Sequence, residues 1–256
     1  MAERSAAISA TVIANNEEAC IERCIRSVSF CDEVIVVDSM STDRTAEIAA
    51  AMGARVVQRE FRGYRDQKEF ARTLAAGPWV LNLDADEEAG EGLGCELREA
   101  VAEGRHSAFS FPFRTYISGR RLRFGRFFLE RHVRAFLKDA ACYDPRKDTH
   151  ERLLVEGTVG RLEHGFDHNS YTSFEDARRK SMFYAASAAR TLAAADGDVG
   201  IVKVYGNPAW RLIKQCLLQM GVLDGPMGLK FAALSAQEAY IKYSVARALK
   251  SGRYGA

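Results

Sequence analysis

The chain is 256 residues long, 47% hydrophobic and 27% charged, which is enough to bury a sizeable core in one large domain or in one domain with an appendage. Its net charge of +2 is unevenly spread: 12 Lys and Arg stand against 20 Asp and Glu in residues 1–110, 8 against 2 in 111–140, and 12 against 6 in 174–256. That pattern fits an acidic metal-binding front and a basic back that meets phosphates or a lipid surface, or ordinary surface variation. The six cysteines form no C-x-x-C pair, which argues against a disulfide framework or a zinc site and for reduced thiols in a cytoplasmic protein. No signal peptide and no bilayer-spanning apolar run are expected.

Residues 7–13 read as a buried strand, Asn15-Asn16 as a turn, and Glu17 to Ser27 as a helix. Val34 to Val37 form a second strand ending at Asp38, and Ser41 or Thr42 can cap a helix that runs to Ala51. A third strand over 54–57, a helix from Tyr64 to Ala75 and a fourth strand from Trp79 to Leu83 follow. Strands alternating with helices at this spacing predict an α/β, mostly parallel sheet flanked by helices. Ligands of such sheets sit beyond the carboxyl ends of the strands, where Asn15, Asn16, Asp38 and Asp84 all fall. Later, Leu93 to Ala102 reads as a helix, 108–113 and 133–137 as strands around an Arg-rich stretch, and 174–195, 208–220 and 227–249 as helices.

The fourth strand runs directly into Asp84-Ala85-Asp86-Glu87-Glu88. At the end of a strand, Asp84 and Asp86 should face the same way, since side chains alternate with period two. Paired hard carboxylates suit Mg²⁺ or Mn²⁺, which usually arrive with a phosphate-bearing substrate. A lone D-x-D is more often a solvated acidic loop; here the polar residues ending the earlier strands accompany it.

Together, Asn16-Glu17 after the first strand, Val36-Val37-Asp38-Ser39-Met40-Ser41-Thr42-Asp43-Arg44-Thr45, and Leu83-Asp84-Ala85-Asp86-Glu87 resemble a family-2 glycosyltransferase of the GT-A fold. His150-Glu151 and Gly221-Val222-Leu223-Asp224-Gly225 are similar to a subgroup of lipopolysaccharide-core β-1,4-glucosyltransferases. The resemblance implies a catalytic domain over 1–173, divided into a nucleotide-sugar-binding half (1–105) and an acceptor and metal-completing half (106–173), followed by a helical region over 174–256. It implies an inverting, metal-dependent transfer of a hexose, glucose first, from a UDP-sugar to a lipid-linked saccharide, with no nucleic acid partner.

Residue by residue, the resemblance implies that Asp38 receives the imide N–H of uracil. Asn16, Glu17 and Lys68 would lie near the donor, with Asp84 near the ribose and metal and Asp86 a direct metal ligand. His150 would complete the metal shell, and Glu151 first, Asp148 second, would be the base that activates the acceptor hydroxyl. Asp86 or Glu87 could also serve the acceptor. Arg131 and Arg134 suit a diphosphate or an acceptor phosphate, as forked guanidinium donors do, or are charges on an edge strand. Asp43 is expected to do no more than start its helix. A lysine on a surface helix is ordinarily solvated, which is the plain alternative for Lys68.

In the tail, Val202, Tyr205, Trp210, Ile213, Leu217 and Leu218 mix with Lys203, Arg211 and Lys214. Such helices lie in a bilayer interface or pack on a sheet; the implied lipid acceptor favours peripheral contact at the cytoplasmic face of the inner membrane. A nucleotidyltransferase would want a Gly-rich, Arg-containing loop where Ala14-Asn15-Asn16-Glu17-Glu18 stands, and a dinucleotide oxidoreductase a G-x-G-x-x-G that is absent. A non-catalytic protein on a degenerate transferase scaffold remains open at this level.

Overall fold

The structure is a computed structural model that describes residues 7–145, 152–171, 173–195 and 197–251. In chain order it begins with β1 (Ile8–Ala14), α1 (Ile21–Ser27), β2 (Glu33–Asp38), α2 (Thr45–Ala51), β3 (Arg55–Gln58), α3 (Tyr64–Leu74) and β4 (Trp79–Asp84). Then come β5 (Glu87–Ala89), α4 (Leu93–Glu103), β6 (Ala108–Ile117), β7 (Arg120–Leu122), β8 (Arg131–Leu137), β9 (Ala141–Tyr143), β10 (Leu153–Val155), β11 (Val159–Arg161) and β12 (Phe166–Tyr171). The helices α5 (Phe174–Ala194), α6 (Ile201–Ile213) and α7 (Gly225–Lys250) close the described chain.

Two compact units emerge, residues 1–113 with 131–168, and residues 114–130 with 169–256. In the first, the sheet order is β3-β2-β1-β4-β8-β6-β12-β5. β1 to β4 are mutually parallel, and β8 joins β4 antiparallel, so the sheet is parallel at its nucleus and mixed beyond it. The inner parallel strands β1, β2 and β4 are mostly apolar and buried, as cover on both faces requires, while β3 at the edge is part-exposed. Ile8, Ala10 and Val12 of β1 and Leu81 and Leu83 of β4 pack with α1 and α4 residues such as Ile21, Cys24 and Leu97. The alternate residues Ile13 and Val37 pack with Phe70 and Ala71 of α3. Each fully buried aliphatic side chain contributes about 2 kcal/mol of transfer free energy.

The second unit packs α5 and α6 along α7. One cluster joins Ile117, Leu122, Ala177, Phe231 and Leu234, and another joins Ala189, Val199, Val204 and Ala246. The Gly221–Gly225 motif is a structural joint. The buried Asp224 carboxylate accepts the backbone N–H groups of Arg123 (3.0 Å) and Phe124 (2.9 Å), tying the Arg-rich segment to the start of α7. Gly228 is required there, since a Cβ would stand 2.0 Å from the Gly221 carbonyl oxygen. No described helix is long and apolar enough to cross a membrane.

Several boundaries differ from the sequence expectation for local reasons. α1 begins at Ile21 rather than Glu17, and α2 at Thr45, with neither Ser41 nor Thr42 as its cap. Those side chains are taken by contacts between the two loops, described below. α6 begins at Ile201 with Pro208 inside it, where a proline-started helix was expected, and a π-turn over Lys214–Leu218 follows. The strands β5, β7 and β9 to β12 were not anticipated; most are three residues long, too short to show a period.

Candidate functional site

The register of the parallel strands puts Asp38 beside Ala14 and Asp84 beside Ile13, so the two acids flank the end of β1 at the carboxyl edge of the sheet. The loop after β1 and the loop after β2 are stitched together. Asn16, held at φ +57°, accepts the Thr42 N–H at 2.8 Å and donates its own N–H to Ser41 Oγ at 2.9 Å. Asparagine tolerates this left-handed conformation better than most residues. The Glu17 N–H donates to Thr45 Oγ1 at 2.8 Å, and the Glu18 N–H to Asp43 Oδ2 at 3.2 Å. Asp43 also accepts the Thr45 N–H at 3.0 Å, which leaves it a loop-building residue. The Asp38 carboxylate, fully buried, accepts the Ser41 N–H at 3.0 Å and the Ser41 hydroxyl, and faces Gln58 Nε2 at 3.5 Å.

Beyond β4 the chain turns at Ala85-Asp86, so Asp84 and Asp86 do not share a strand face, and the period-two expectation stops at Asp84. Asp84 faces two cations. Lys68 Nζ, on α3, lies 3.0 Å from its Oδ1, and Arg134 Nη2, on β8, lies 3.1 Å from its Oδ2. Lys68 is buried, unlike a solvated lysine on a surface helix. Arg134 is the extra residue of a β-bulge: Phe109 pairs with Ala135 and Ser110 with Val133, which leaves Arg134 unpaired in the ladder. Bulges of this kind re-aim side chains near sites. The guanidinium also reaches Asn82 Oδ1 at 3.3 Å and bonds the buried Glu87 carboxylate, with its carbon 5.3 Å from the centroid of the Phe113 ring. Glu87 in turn accepts the Asp84 N–H at 3.0 Å.

Charge is thereby sorted within the cluster. Burial opposes ionisation of Asp84, but Lys68 and Arg134 overcome it and hold its carboxyl well below the usual carboxylate range. Burial drives the Glu87 carboxyl up, to about 7, against the pull of Arg134 and with the push of Asp84. Asp86 turns the other way, with its Oδ2 3.3 Å from His168 Nε2 on β12. Burial lowers the affinity of that imidazole for a proton, yet Asp86, then Glu87 and Asp84, outweigh it and raise its pKa. The outcome is one acid, Asp84, neutralised by two cations, and a second, Asp86, beside an imidazole, with the side chains of both acids part-exposed.

Residues 9–151 match the sequence model of Glycosyl transferase family 2. The chain belongs to that family. An uncharacterized glycosyltransferase of Rickettsia bellii is 30% identical over 254 residues, which is 94% of this chain and 86% of the relative. The lipopolysaccharide core biosynthesis glycosyltransferase LpsC of Rhizobium meliloti is 33% identical over 164 residues, 62% of this chain and 61% of that protein. Among solved structures, that of S. aureus TarS residues 1–349 in complex with UDP superposes with a TM-score of 0.50 at 16% identity, covering 96% of this chain and 91% of that one. This likeness supports the GT-A fold. The chain is thus a family-2 glycosyltransferase, and the cluster at the carboxyl edge is its candidate active site.

Of the residues singled out from the family-2 resemblance, the structure brings together Lys68, Asp84 and Arg134, with Asp38 on the other side of β1, while Asp86 faces His168 instead. Asn16 and Glu17 build the adjoining loop pair. Arg131 is not part of the cluster; its guanidinium donates to the carbonyl oxygens of Ser110 (2.7 Å) and Leu162 (2.6 Å). Asp148, His150 and Glu151 lie outside the described residues. Glu87, considered as a group serving the acceptor, is buried beneath Arg134 and has no face open to one. His168 was missed. The signal was the alternating run Phe166-Asp167-His168-Asn169 after Gly165, which forms β12 and sets His168 opposite Glu87 in the antiparallel ladder with β5. Gln67, fully buried with its Nε2 3.0 Å from Ser39 Oγ, braces the turn after Asp38.

Proposed function

We propose that this glycosyltransferase moves a hexose from a UDP-sugar, UDP-glucose first, to a lipid-linked saccharide, with inversion and with the help of Mg²⁺ or Mn²⁺. The observation that carries the reading is the division of labour between Asp84, neutralised by Lys68 and Arg134, and Asp86, part-exposed beside His168. Among the described residues no group of three or more His, Cys, Asp or Glu is arranged to hold a metal by itself. A carboxylate oxygen and an imidazole nitrogen still fit a hard divalent ion that keeps waters and takes its remaining ligands from a diphosphate. Asp86 and His168 are the residues that would hold it, with Asp84 tied instead to its two cations. Bound there, the ion supplies positive charge to the departing diphosphate.

The protein's own groups have separable tasks in this reading. Asp38, fixed by Ser41 and fully buried as the chain stands, would offer its remaining acceptor capacity to the base of the nucleotide once the turn over residues 39–41 moves aside. Lys68 and Arg134 keep positive potential at the carboxyl edge of the sheet, where a diphosphate would lie. Glu87 fixes Arg134 from behind. Glu151, with Asp148 as the second choice, takes the proton of the acceptor hydroxyl; a Glu151→Gln enzyme that binds nucleotide without turnover would support this. The UDP in the TarS structure and the lipopolysaccharide-core name of LpsC support the choice of nucleotide and acceptor class.

The test is calorimetric titration with UDP, in Mn²⁺ and then in EDTA, with GDP and CDP as controls. Selective, metal-dependent UDP binding that is lost in Asp86→Asn is the expected result. Selective GDP or CDP binding would overturn the donor, and equal binding in EDTA would overturn the metal.

A further inference from the structure

Residues 199–223 contain Lys203, Arg211 and Lys214 and no acidic residue. Most of this segment is solvent-facing although it is rich in apolar and aromatic side chains. On α6, Val202, Tyr205, Ala209 and Ile213 recur at helical spacing on one side and are all exposed, Val202 at 78%. Val204, which packs with Val199, Ala189 and Ala246, lies on the other side. An ordinary helix of a water-facing protein turns its apolar stripe inward; α6 turns its stripe outward. Trp210 flanks the stripe at 55% exposure, and the stretch after α6 adds Leu217 at 65% and Leu218 at 63%. A run of exposed apolar side chains on one helix and the stretch after it marks an interaction site.

We propose that this face docks on an anionic lipid surface. Charge selects the occupant. A second copy of the chain seated face to face would set Lys203, Arg211 and Lys214 against their own counterparts with no acid within the segment to answer them, a repulsive arrangement. A bilayer interface takes apolar side chains and a tryptophan ring into the headgroup boundary, and anionic headgroups answer the cations. Lys203 and Lys214 are exposed, and Arg211 sits 3.9 Å from Glu238 of α7 with its side chain half-exposed. At 13 residues α6 is about 20 Å long, so it lies in the interface and does not cross it. The observations belong to the helical unit alone and do not rest on the reading of the donor site, although such a surface would bring the enzyme to a lipid-linked acceptor.

The experiment is flotation of the purified full chain with vesicles of phosphatidylcholine, alone or mixed with phosphatidylglycerol, with UDP titration and thermal unfolding run on the same samples. Flotation with the anionic vesicles is expected, weakened by added salt. It should fall about tenfold in Leu217→Glu/Leu218→Glu and, separately, in Lys203→Gln/Lys214→Gln, with unfolding temperature and UDP affinity unchanged. No flotation by a chain that binds UDP, or flotation that both variants retain, would overturn the docking and leave the donor reading standing. A dimer in light scattering that Leu217→Glu/Leu218→Glu dissolves, with no flotation, would also overturn it, in favour of a second copy.

Discussion

Replacing Lys68 with methionine separates a buried ion pair from a solvated surface lysine. The Nζ–Oδ1 distance of 3.0 Å corresponds to about 5 kcal/mol of Coulomb attraction at an effective dielectric of about 20. Two features reduce that figure: desolvation of the 5% exposed lysine opposes it, and the Asp84 side chain is 32% exposed and therefore screened. Arg134 stays with Asp84 in the variant, so no carboxylate is orphaned, and methionine keeps most of the apolar stem. The net expected loss is about 2 kcal/mol, or a drop of roughly 6 °C in Tm for a chain of this size. The assay is urea unfolding of the wild type, Lys68→Met, Asp84→Asn and the double variant, which isolates the coupling. A further signature follows from the depressed pKa of Asp84. Its folded value lies below the unfolded one, so its contribution is present above about pH 4 and is lost as pH falls toward the folded value. The gap between wild type and Lys68→Met should therefore be full at neutral pH and shrink on acidification. A loss below about 0.5 kcal/mol at neutral pH, the usual effect of a surface change, would refute the buried pair, as would a gap independent of pH.

The remaining expectations concern residues whose placement the fold decides. Arg131→Met should destabilise the protein by about 2 kcal/mol, since two carbonyls lose a charged donor, while UDP affinity is unchanged; a calorimetric loss of affinity at unchanged stability would return Arg131 to the donor site. Burial pushes the Cys31 thiol up to about 12 and raises Cys24 well above its ordinary value. In the native protein at mildly alkaline pH, a colorimetric thiol reagent should therefore label the exposed Cys95 and Cys142 first, and leave Cys24 and Cys31 unreacted until unfolding. Peptide mapping that found Cys24 or Cys31 among the first labelled would contradict the packing of α1 and of the turn that follows it against the core.

How much of this was legible beforehand follows the range of the signal. Apolar runs ending in Asp38 and Asp84 declare strands whose polar ends lie at one edge, because two buried faces demand unbroken hydrophobicity and the chain must become polar where it meets solvent. The loop stitching was half legible: Asn16, Ser41 and Asp43 were read as turn and cap residues, yet their hydrogen bonds run between loops some 25 residues apart. No local pattern names a partner at that distance. The same holds for α6, whose composition signalled an amphipathic basic helix without saying which side would face out.

The sequence by itself determined the family, the α/β order of the first hundred residues and the acids at the carboxyl edge, since each is a matter of spacing along the chain. Only the tertiary structure decided what surrounds those acids. It buried Lys68, used a bulge in β8 to aim Arg134 at Asp84, assigned Glu87 to hold that guanidinium, and brought His168 to Asp86 through a strand paired across the sheet. These are contacts between elements far apart in sequence. Their partners are chosen by sheet order and register, which many residues settle together and no short motif records.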